Sequence, residues 1–353
     1  MFLAREYLYN LVCGKIKGPQ GVFLRGCLLV LSWIYGLAVV ILAGLYRTRR
    51  VHFSAKVISV GNITLGGTGK TTLVEYLSAG LSASGNKIAV LSRGYRRNSR
   101  HPGAQGIGDE PAMLQQKLPA VQIVVDKNRI RAALAVIREY GSKILILDDG
   151  LQQWKIFKDL EIVTIDSANP FGNCRLLPAG FLREPLFALK RADIFVLTQC
   201  CPGEKLDDLT VKLKSINSSA LIVESKHEPR GFSRLDQADG LLSLELLKAK
   251  PVAIFSGIGN PEGFGNSVRG LGIKVVKDFR FPDHHDYTAE DILEIIREVK
   301  ENNLEAIITT PKDAVKVRQL KIKASKILVL EIKLSITKNE AEFNRRLLEL
   351  YSF

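Results

Sequence analysis

Residues 57–72 of the chain are VISVGNITLGGTGKTT, an apolar strand pattern followed by a glycine-rich turn and a helix start. This order is typical of a P-loop, in which backbone N–H groups and a helix N-terminus surround phosphate oxygens. Thr64 stands where the usual motif has its first glycine. A glycine-rich turn without a ligand is the alternative. The context favours a nucleotide site made of Gly66, Gly67, Thr68, Gly69, Lys70, Thr71 and Thr72.

A second apolar strand pattern ends in two acids. Residues 143–150 are KILILDDG, and Asp148 and Asp149 follow the run where ligands bind in open α/β sheets. One carboxylate can hold Mg²⁺ together with the Thr71 hydroxyl, and the other can orient water or a cation. The sequence thus predicts metal ligation by Thr71, Asp148 and Asp149, and leaves open which aspartate touches the ion. The alternative is a simple turn at Asp149-Gly150.

Composition narrows the class of protein. The chain has 353 residues, a formal charge of +14 and 46% hydrophobic residues, which suffices for two domains with real cores. The basic balance favours an anionic partner: a membrane surface, a nucleic acid or a phosphorylated substrate. The five cysteines have no CxxC spacing and no nearby histidine pairs, so we predict neither a metal centre built on cysteines nor a disulfide framework, and a reducing cytoplasmic setting fits.

The beginning of the chain has a different character. Residues 26–46 contain no charged residue, a length that can cross a hydrocarbon core as a helix. A basic cluster follows at residues 47–50, and further basic residues precede the run, so orientation stays ambiguous. A single span, a helix in one leaflet and a helical hairpin bent near Gly36 all remain open. A buried core helix is the alternative to a membrane segment.

Beyond residue 50, short apolar runs alternate with helical patterns, which predicts an α/β fold with a parallel sheet. We expect a membrane-associated segment at 1–50, a P-loop domain at 51–225, a linker at 226–248 and a smaller α/β domain at 249–353. The linker region reads as a strand at 220–224 followed by irregular sequence to about residue 239. Residues 93–105 are polar and basic and are predicted to form a loop.

Four short motifs carry further candidate residues. GDEP at 108–111 and LREP at 182–185 place charges before a proline, and each is also a common helix-entry pattern. FPDHHDY at 281–287 holds two of the five histidines between acids, which favours an acid–base or substrate role over a metal site. TTPKD at 309–313 ends a strand and is equally explained as a helix cap.

Taken in order, the motifs resemble those of the tetraacyldisaccharide 4′-kinase family, the lipid A 4′-kinases of Gram-negative bacteria. The resemblance rests on GNITLGGTGKT, LSRGYRR, GDEP, LDDGLQ, LPAGFLREP, FSGIGNPEGF, FPDHHDYT and TTPKDAVKV. It spans nearly the whole chain. It also explains Thr64, because the family loop is similar to G-N-x-x-x-G-G-x-G-K-T.

The resemblance implies transfer of the γ-phosphate of ATP, with Mg²⁺, to the 4′-hydroxyl of tetraacyldisaccharide 1-phosphate, giving lipid IVA. It implies a location at the cytoplasmic face of the inner membrane, with membrane lipids as partners. It gives Asp109 the role of catalytic base, His284 its partner and Lys70 a phosphate contact. Asp149 would complete the nucleotide site. Arg129, Arg183 and Glu184 would line the substrate cleft, and domain closure would join the two halves.

Some residues depart from the family pattern. Leu151 and Gln153 replace an aromatic residue and a histidine after the acidic pair, and Pro311 stands where an acid is common. The alternative function is a membrane-associated P-loop ATPase or GTPase with no lipid acceptor. A nucleic-acid-binding role for residues 92–101 is disfavoured, since only one aromatic residue lies among the charges, and no nucleic-acid partner is expected. The oligomeric state and acyl-chain preference stay open.

Overall fold

A computed structural model describes residues 2–94, 108–200, 206–236, 240–322 and 326–350, without the side chains of residues 2–6. The predicted basic loop at 93–105 therefore lies almost wholly outside the described residues. The helices are α1 (Phe2–Val12), α2 (Pro19–Arg47), α3 (Lys70–Ala83), α4 (Asp109–Lys117), α5 (Arg129–Tyr140), α6 (Asp207–Ile216), α7 (Pro261–Gly270), α8 (Ala289–Glu301), α9 (Pro311–Gln319) and α10 (Glu340–Glu349).

The strands join into one sheet. They are β1 (Lys56–Gly61), β2 (Ile88–Ser92), β3 (Gln122–Val125), β4 (Ile144–Asp148), β5 (Leu160–Asp166), β6 (Ile194–Thr198), β7 (Leu221–Arg234), β8 (Pro251–Ser256), β9 (Lys274–Arg280), β10 (Ala306–Thr309) and β11 (Ile327–Lys338). Their order is β3-β2-β4-β1-β5-β6-β7-β11-β10-β8-β9, and every pair except β7–β11 is parallel. Helices bury the central strands, as apolar runs in a parallel sheet require. The predicted α/β fold is confirmed.

One part of the linker prediction is wrong. Residues 225–234 are not irregular but continue β7, which pairs antiparallel with β11. The register shifts by one residue where Glu331 faces Gly231 and Ile332 faces Pro229. A proline cannot donate to a ladder and is accommodated at such a bulge. Pro229 and Gly231 are residues that strand interiors usually exclude, and the partner strand lies about a hundred residues away, so the sequence alone does not reveal this pairing.

The predicted domain bounds remain predictions, and one feature of the packing bears on them. The core around the P-loop helix contains Leu73 and Leu77 of α3, and it also contains Leu334 of β11 and Phe343 and Leu347 of α10. The chain thus returns from the second unit to complete the core of the first. Residues from 327 onward belong physically to both units.

Helix α2 is a single helix of 29 residues that passes through Gly36 without a break, so a hairpin bent there is wrong. By length and composition it could cross a membrane. Only 17% of its most apolar window is buried, which disagrees with a buried core helix. The buried positions form one stripe, and the opposite side exposes large apolar residues: Val22, Phe23, Val30, Leu31, Trp33, Ile34, Leu37, Val40, Ile41, Leu42 and Leu45.

Candidate active site

The P-loop adopts the geometry that phosphate binding needs. Helix α3 begins at Lys70, directly after Gly69, which caps it in the left-handed region with φ of 75°. A side chain there would be strained and would meet Thr198 at 3.3 Å and His227 at 3.4 Å. The first-turn N–H groups of α3 and its positive dipole end lie directly after the glycine-rich loop, where an anion can bind.

Asn62 stabilises the loop and accounts for the missing glycine. Its amide donates to the Thr64 carbonyl at 2.8 Å and accepts from the Lys70 ammonium at 3.0 Å. Thr64 is buried and bridges to Leu182 as in an antiparallel pair. A side chain at position 64 thus has a place in the fold. We did not single out Asn62 from the sequence, although it lies inside the decisive motif.

Two threonines of the sheet fix the loop from below. The hydroxyl of Thr68 lies 2.7 Å from that of Thr164 in β5. Thr198, at the end of β6, donates to the Thr68 carbonyl at 3.1 Å. Hydrogen bonds of this kind hold a loop rigid before any ligand arrives, which reduces the ordering cost of binding.

The acidic pair at the end of β4 splits into two environments. Asp148 is buried, and burial together with nearby Glu110 raises its pKa to about 6. Asp149, the next residue, has a positive φ of 56°, and its carboxylate contacts Lys70 and Arg183 instead. Burial opposes its charge, but Lys70 at 3.6 Å and Arg183 at 2.8 Å hold its pKa below the ordinary value. The nucleotide side therefore has one carboxylate that is ion-paired with Lys70 and Arg183, and a second, Asp148, whose pKa is raised by burial and Glu110.

An oxygen cluster lies beside the P-loop. The Thr71 hydroxyl donates to Glu110 at 3.3 Å, and the Ser92 hydroxyl donates to Asp148 at 3.1 Å. Within the described residues, no group of three or more His, Cys, Asp or Glu is arranged to hold a metal ion by itself. The crowding of Glu110 and Asp148 nevertheless favours a divalent cation, and Mg²⁺ commonly takes one or two carboxylates plus phosphate and water oxygens.

The three predicted substrate residues, Arg129, Arg183 and Glu184, lie in different environments. Arg183 reaches Asp149 with its guanidinium, inside the predicted site. Arg129 is 3% exposed, donates to the Asp126 carbonyl, and burial lowers its pKa to about 10 despite the pull of Asp148. Glu184 differs most from its predicted place, because its side chain is only 1% exposed.

The carboxylate of Glu184 accepts from Arg191 at 2.9 and 3.0 Å and from Gln152 at 3.1 Å. These partners occupy both of its oxygens. Glu184 therefore supports the Arg183 loop from behind and does not line an open cleft, which corrects the expectation from sequence.

The structure brings the predicted catalytic pair together. His284 Nδ1 lies 3.2 Å from Asp109 Oδ2, across 175 residues of sequence. Asp109 is the first residue of α4, so GDEP is both a helix start and part of the site. His284 follows β9 with a φ of 62°, and its N–H donates to the Gly257 carbonyl at 3.0 Å. The other histidine, His285, contacts Asp291 in the capping box of α8.

Two lysines of α9 complete this side and were missed from the sequence. Lys316 Nζ lies 2.9 Å from Asp109 Oδ2 and donates to the His285 carbonyl at 2.8 Å. Lys312 Nζ lies 3.1 Å from Asp283 and 3.2 Å from His284 Nε2. Burial works against the charge of Asp109, but the hydrogen bonds from His284 and Lys316 keep its pKa below the ordinary value. The TTPKDAVKV motif supplied the signal for both lysines.

The same motif also caps a helix, as the structural alternative proposed. Thr310 is the N-cap of α9, and its hydroxyl accepts from the Asp313 N–H. Pro311 is the first residue of the helix, a position where the missing N–H of proline costs nothing. The departure from the family pattern at this position therefore fits the local structure.

His227 is a further residue that the sequence did not indicate. It lies on β7, and its Nε2 is 3.0 Å from the hydroxyl of Thr72 in the first turn of α3. Burial lowers the pKa of His227, so the ring is neutral at pH 7. The strand that joins the two units thus touches the phosphate-binding turn directly.

Comparison with known proteins gives a consistent result. The sequence model of the tetraacyldisaccharide-1-P 4′-kinase family (LpxK) matches residues 24–352. A tetraacyldisaccharide 4′-kinase of Halothermothrix orenii is 36% identical over 340 residues, 88% of each chain. The kinase of Elusimicrobium minutum is 35% identical over 347 residues, 92% of this chain and 91% of the relative.

A solved structure supports the same relationship. The "apo" form of LpxK from Aquifex aeolicus in complex with ATP superposes with a TM-score of 0.73 at 29% identity, covering 93% of this chain and 99% of that one. The match therefore extends over both units of the sheet and is not limited to the P-loop. Together with the site geometry, these findings show that the chain belongs to the tetraacyldisaccharide-1-P 4′-kinase family.

Proposed function

We propose that this chain transfers the γ-phosphate of ATP to the 4′-hydroxyl of a tetraacyldisaccharide 1-phosphate, forming lipid IVA and ADP. The observation that carries the proposal is the contact of Asp109 with His284 beside the phosphate-binding loop. Glu110, the next residue, accepts from Thr71 of that loop. Asp109, the predicted base, is therefore adjacent in sequence to a residue that contacts the phosphate-binding loop.

The residues present suit the steps of phosphoryl transfer. Lys70 would exchange its contacts with Asn62 and Asp149 for the β- and γ-phosphates. Thr71, Asp148 and Asp149 would hold Mg²⁺, which neutralises charge on the phosphates. Asp109 takes the proton of the acceptor hydroxyl as the new P–O bond forms and the bond from the γ-phosphorus to ADP breaks. His284 and Lys316 orient Asp109.

The first test is label transfer in detergent micelles. Purified chain, Mg²⁺ and γ-labelled ATP are mixed with tetraacyldisaccharide 1-phosphate, and the lipid is separated by chromatography. We expect the label in a bis-phosphorylated lipid. Release of labelled phosphate without labelled lipid would contradict the proposal and favour the P-loop ATPase alternative.

We further propose that α2 binds one leaflet of the inner membrane from the cytoplasmic side. Ser32 donates to the Leu176 carbonyl at 2.9 Å, Tyr35 donates to the Arg183 carbonyl at 2.8 Å, and Lys155 Nζ lies 4.4 Å from the centre of the Tyr46 ring. From Ser32 to Tyr46 the helix rises about 21 Å. A spanning helix would carry these polar partners into hydrocarbon, which is costly.

Labelling in intact cells tests this topology. Cys13 is exposed just before α2, and a cysteine introduced by Thr48→Cys would follow it. Each position is tested in a chain whose other cysteines are replaced by serine, and with a membrane-impermeant maleimide we expect neither to react from outside spheroplasts and both to react after lysis. Reaction of one position from outside would show that α2 spans the membrane.

A further inference from the structure

A short stretch of chain lies between the apolar helix α2 and the phosphate-binding loop. We call it the bridging segment, residues 175–184. On the α2 side, the Ser32 hydroxyl donates to the carbonyl of Leu176 at 2.9 Å, and the Tyr35 hydroxyl donates to the carbonyl of Arg183 at 2.8 Å. These contacts join residues more than 140 positions apart. Helix α2 is therefore hydrogen-bonded to the backbone of this segment at both of its ends.

The other side of the bridging segment pairs with the residues that lead into the P-loop. The Leu65 N–H donates to the carbonyl of Phe181 at 2.7 Å, and the Arg183 N–H donates to the carbonyl of Ile63 at 2.8 Å. Backbone bonds of this kind fix the relative position of two chain segments to within a few tenths of an ångström. A shift of the bridging segment would consequently move the entry to the phosphate-binding loop.

Arg183 connects both sides to the chemistry. Its backbone N–H and carbonyl are held by Ile63 and Tyr35, and its guanidinium Nη1 lies 2.8 Å from both carboxylate oxygens of Asp149. Tyr35 is partly buried, and burial raises its pKa, so its hydroxyl is a neutral donor. The Tyr35 hydroxyl on α2 thus contacts the backbone of the same residue whose guanidinium pairs with Asp149.

The helix also packs closely against the segment. Gly36 is buried, and a Cβ at this position would lie 2.7 Å from Leu176 Cδ1. No larger residue fits without moving either α2 or the Leu176 side chain. Ser32, Tyr35 and Gly36 therefore form a docking face, on the opposite side from the exposed apolar residues of α2.

We propose that Tyr35 is a positioning residue for the nucleotide site, so that α2 is a structural part of that site as well as a membrane anchor. Tyr35 holds the Arg183 peptide, and Arg183 in turn holds Asp149 and the P-loop entry. Loss of this contact loosens the nucleotide site even when no membrane is present. The inference rests on the proposed place of Asp149 in the nucleotide site, and Arg183, which is predicted to line the substrate cleft, enters it through its ion pair with Asp149.

The test measures ATP affinity without acceptor or lipid, on the full chain in detergent. A net hydrogen bond contributes about 1 kcal/mol, so we expect Tyr35→Phe to weaken ATP binding about fivefold. The matched control is Tyr140→Phe, because Tyr140 is exposed at the end of α5, and we expect its ATP affinity to equal that of the wild type. Thermal unfolding of each variant checks that the chain is folded.

A second pair of variants tests the contact independently of the hydroxyl. Gly36→Val should push α2 away from Leu176 and weaken ATP binding more than Tyr35→Phe does. Adding Leu176→Ala to Gly36→Val makes room for the new side chain and should restore most of the affinity. A general loss of stability would not be repaired by removing a second core side chain.

Arg183→Ala separates failure of this inference from failure of the proposed function. If Arg183→Ala weakens ATP binding while Tyr35→Phe and Gly36→Val leave it unchanged, the positioning role of α2 is overturned. If Arg183→Ala itself has no effect, the ion pair of Arg183 with Asp149 does not support ATP binding, and the proposed place of Asp149 in the nucleotide site fails with it. Weakened binding in all three variants, with rescue by Leu176→Ala, supports the inference.

Discussion

The phosphate side and the acceptor side of the site are built in different ways. The phosphate side is mostly local, since Gly66 to Thr72 follow one another and Asp149 directly follows the neighbouring strand β4. The acceptor side is assembled by tertiary structure, from Asp109 on α4, His284 after β9 and Lys316 on α9. Contacts within one stretch of chain persist when the two units move slightly. The contact of Asp109 with His284 joins elements that are far apart in sequence, so a small movement of the units changes it. Each of the following variants should therefore affect mainly one side.

Asp109→Ala should have the largest effect, and it should leave the phosphate side intact. Loss of a general base typically lowers turnover by about 10²- to 10⁴-fold. We expect kcat to fall by this amount while ATP affinity, measured by direct binding, changes little. Asp109→Asn, which keeps the size, serves as the comparison variant. Near wild-type turnover in both would show that Asp109 is not the base.

Lys70→Met should disturb the phosphate side instead. Removal of one preorganised charge donor to a developing anion costs about 10²- to 10³-fold in kcat. Lys70 also pairs with Asp149, so ATP affinity should fall as well. Equilibrium binding and steady-state rates measure the two effects. An unchanged ATP affinity would mean that Lys70 acts only during phosphoryl transfer. The variants would then separate the phosphate side from the acceptor side less clearly.

Lys316→Met tests the acceptor side through the pH dependence of kcat. Asp109 has a lowered pKa, so its active ionised form is lost only as pH falls through that low value. Removing Lys316 raises the pKa of Asp109 and moves the acid limb of the kcat profile to higher pH. It also removes a hydrogen bond that orients Asp109, so we expect kcat at pH 7 to fall about tenfold. Lys316→Arg keeps the charge and should keep the limb in place. An unshifted profile for Lys316→Met would assign Lys316 a purely structural role.

His227→Ala gives the smallest effect and tests whether the phosphate side is wholly local. The ring contacts Thr72 from β7, an element of the junction between the units. Loss of one hydrogen bond should raise the KM for ATP about fivefold with little change in kcat. His227→Gln, which retains a donor, should retain more of the affinity. If kcat falls and KM does not, β7 couples to the acceptor side.

From the residues alone, the sequence predicts what acts locally along the chain and misses what only tertiary packing brings together. The P-loop and the strand that carries Asp148 were predicted to within a residue, because apolar runs and glycines act locally. The extension of β7 was missed, since only its pairing with β11 makes Pro229 part of a strand. The family resemblance implies a place in the cleft for Glu184, and the loop motif does not reveal that this charge is buried. His227 lies in no motif, and only packing brings it to Thr72.

The path of the chain also has a consequence for biosynthesis. Leu334, Phe343 and Leu347 complete the core that contains Leu73 and Leu77 of the P-loop helix. While a ribosome is still adding residues before about position 350, that core has an open apolar side. Domains that fold during synthesis usually do so from the N-terminal end. Here the phosphate-binding half must wait for the second half, and a nascent chain stalled near residue 320 should remain sensitive to protease throughout.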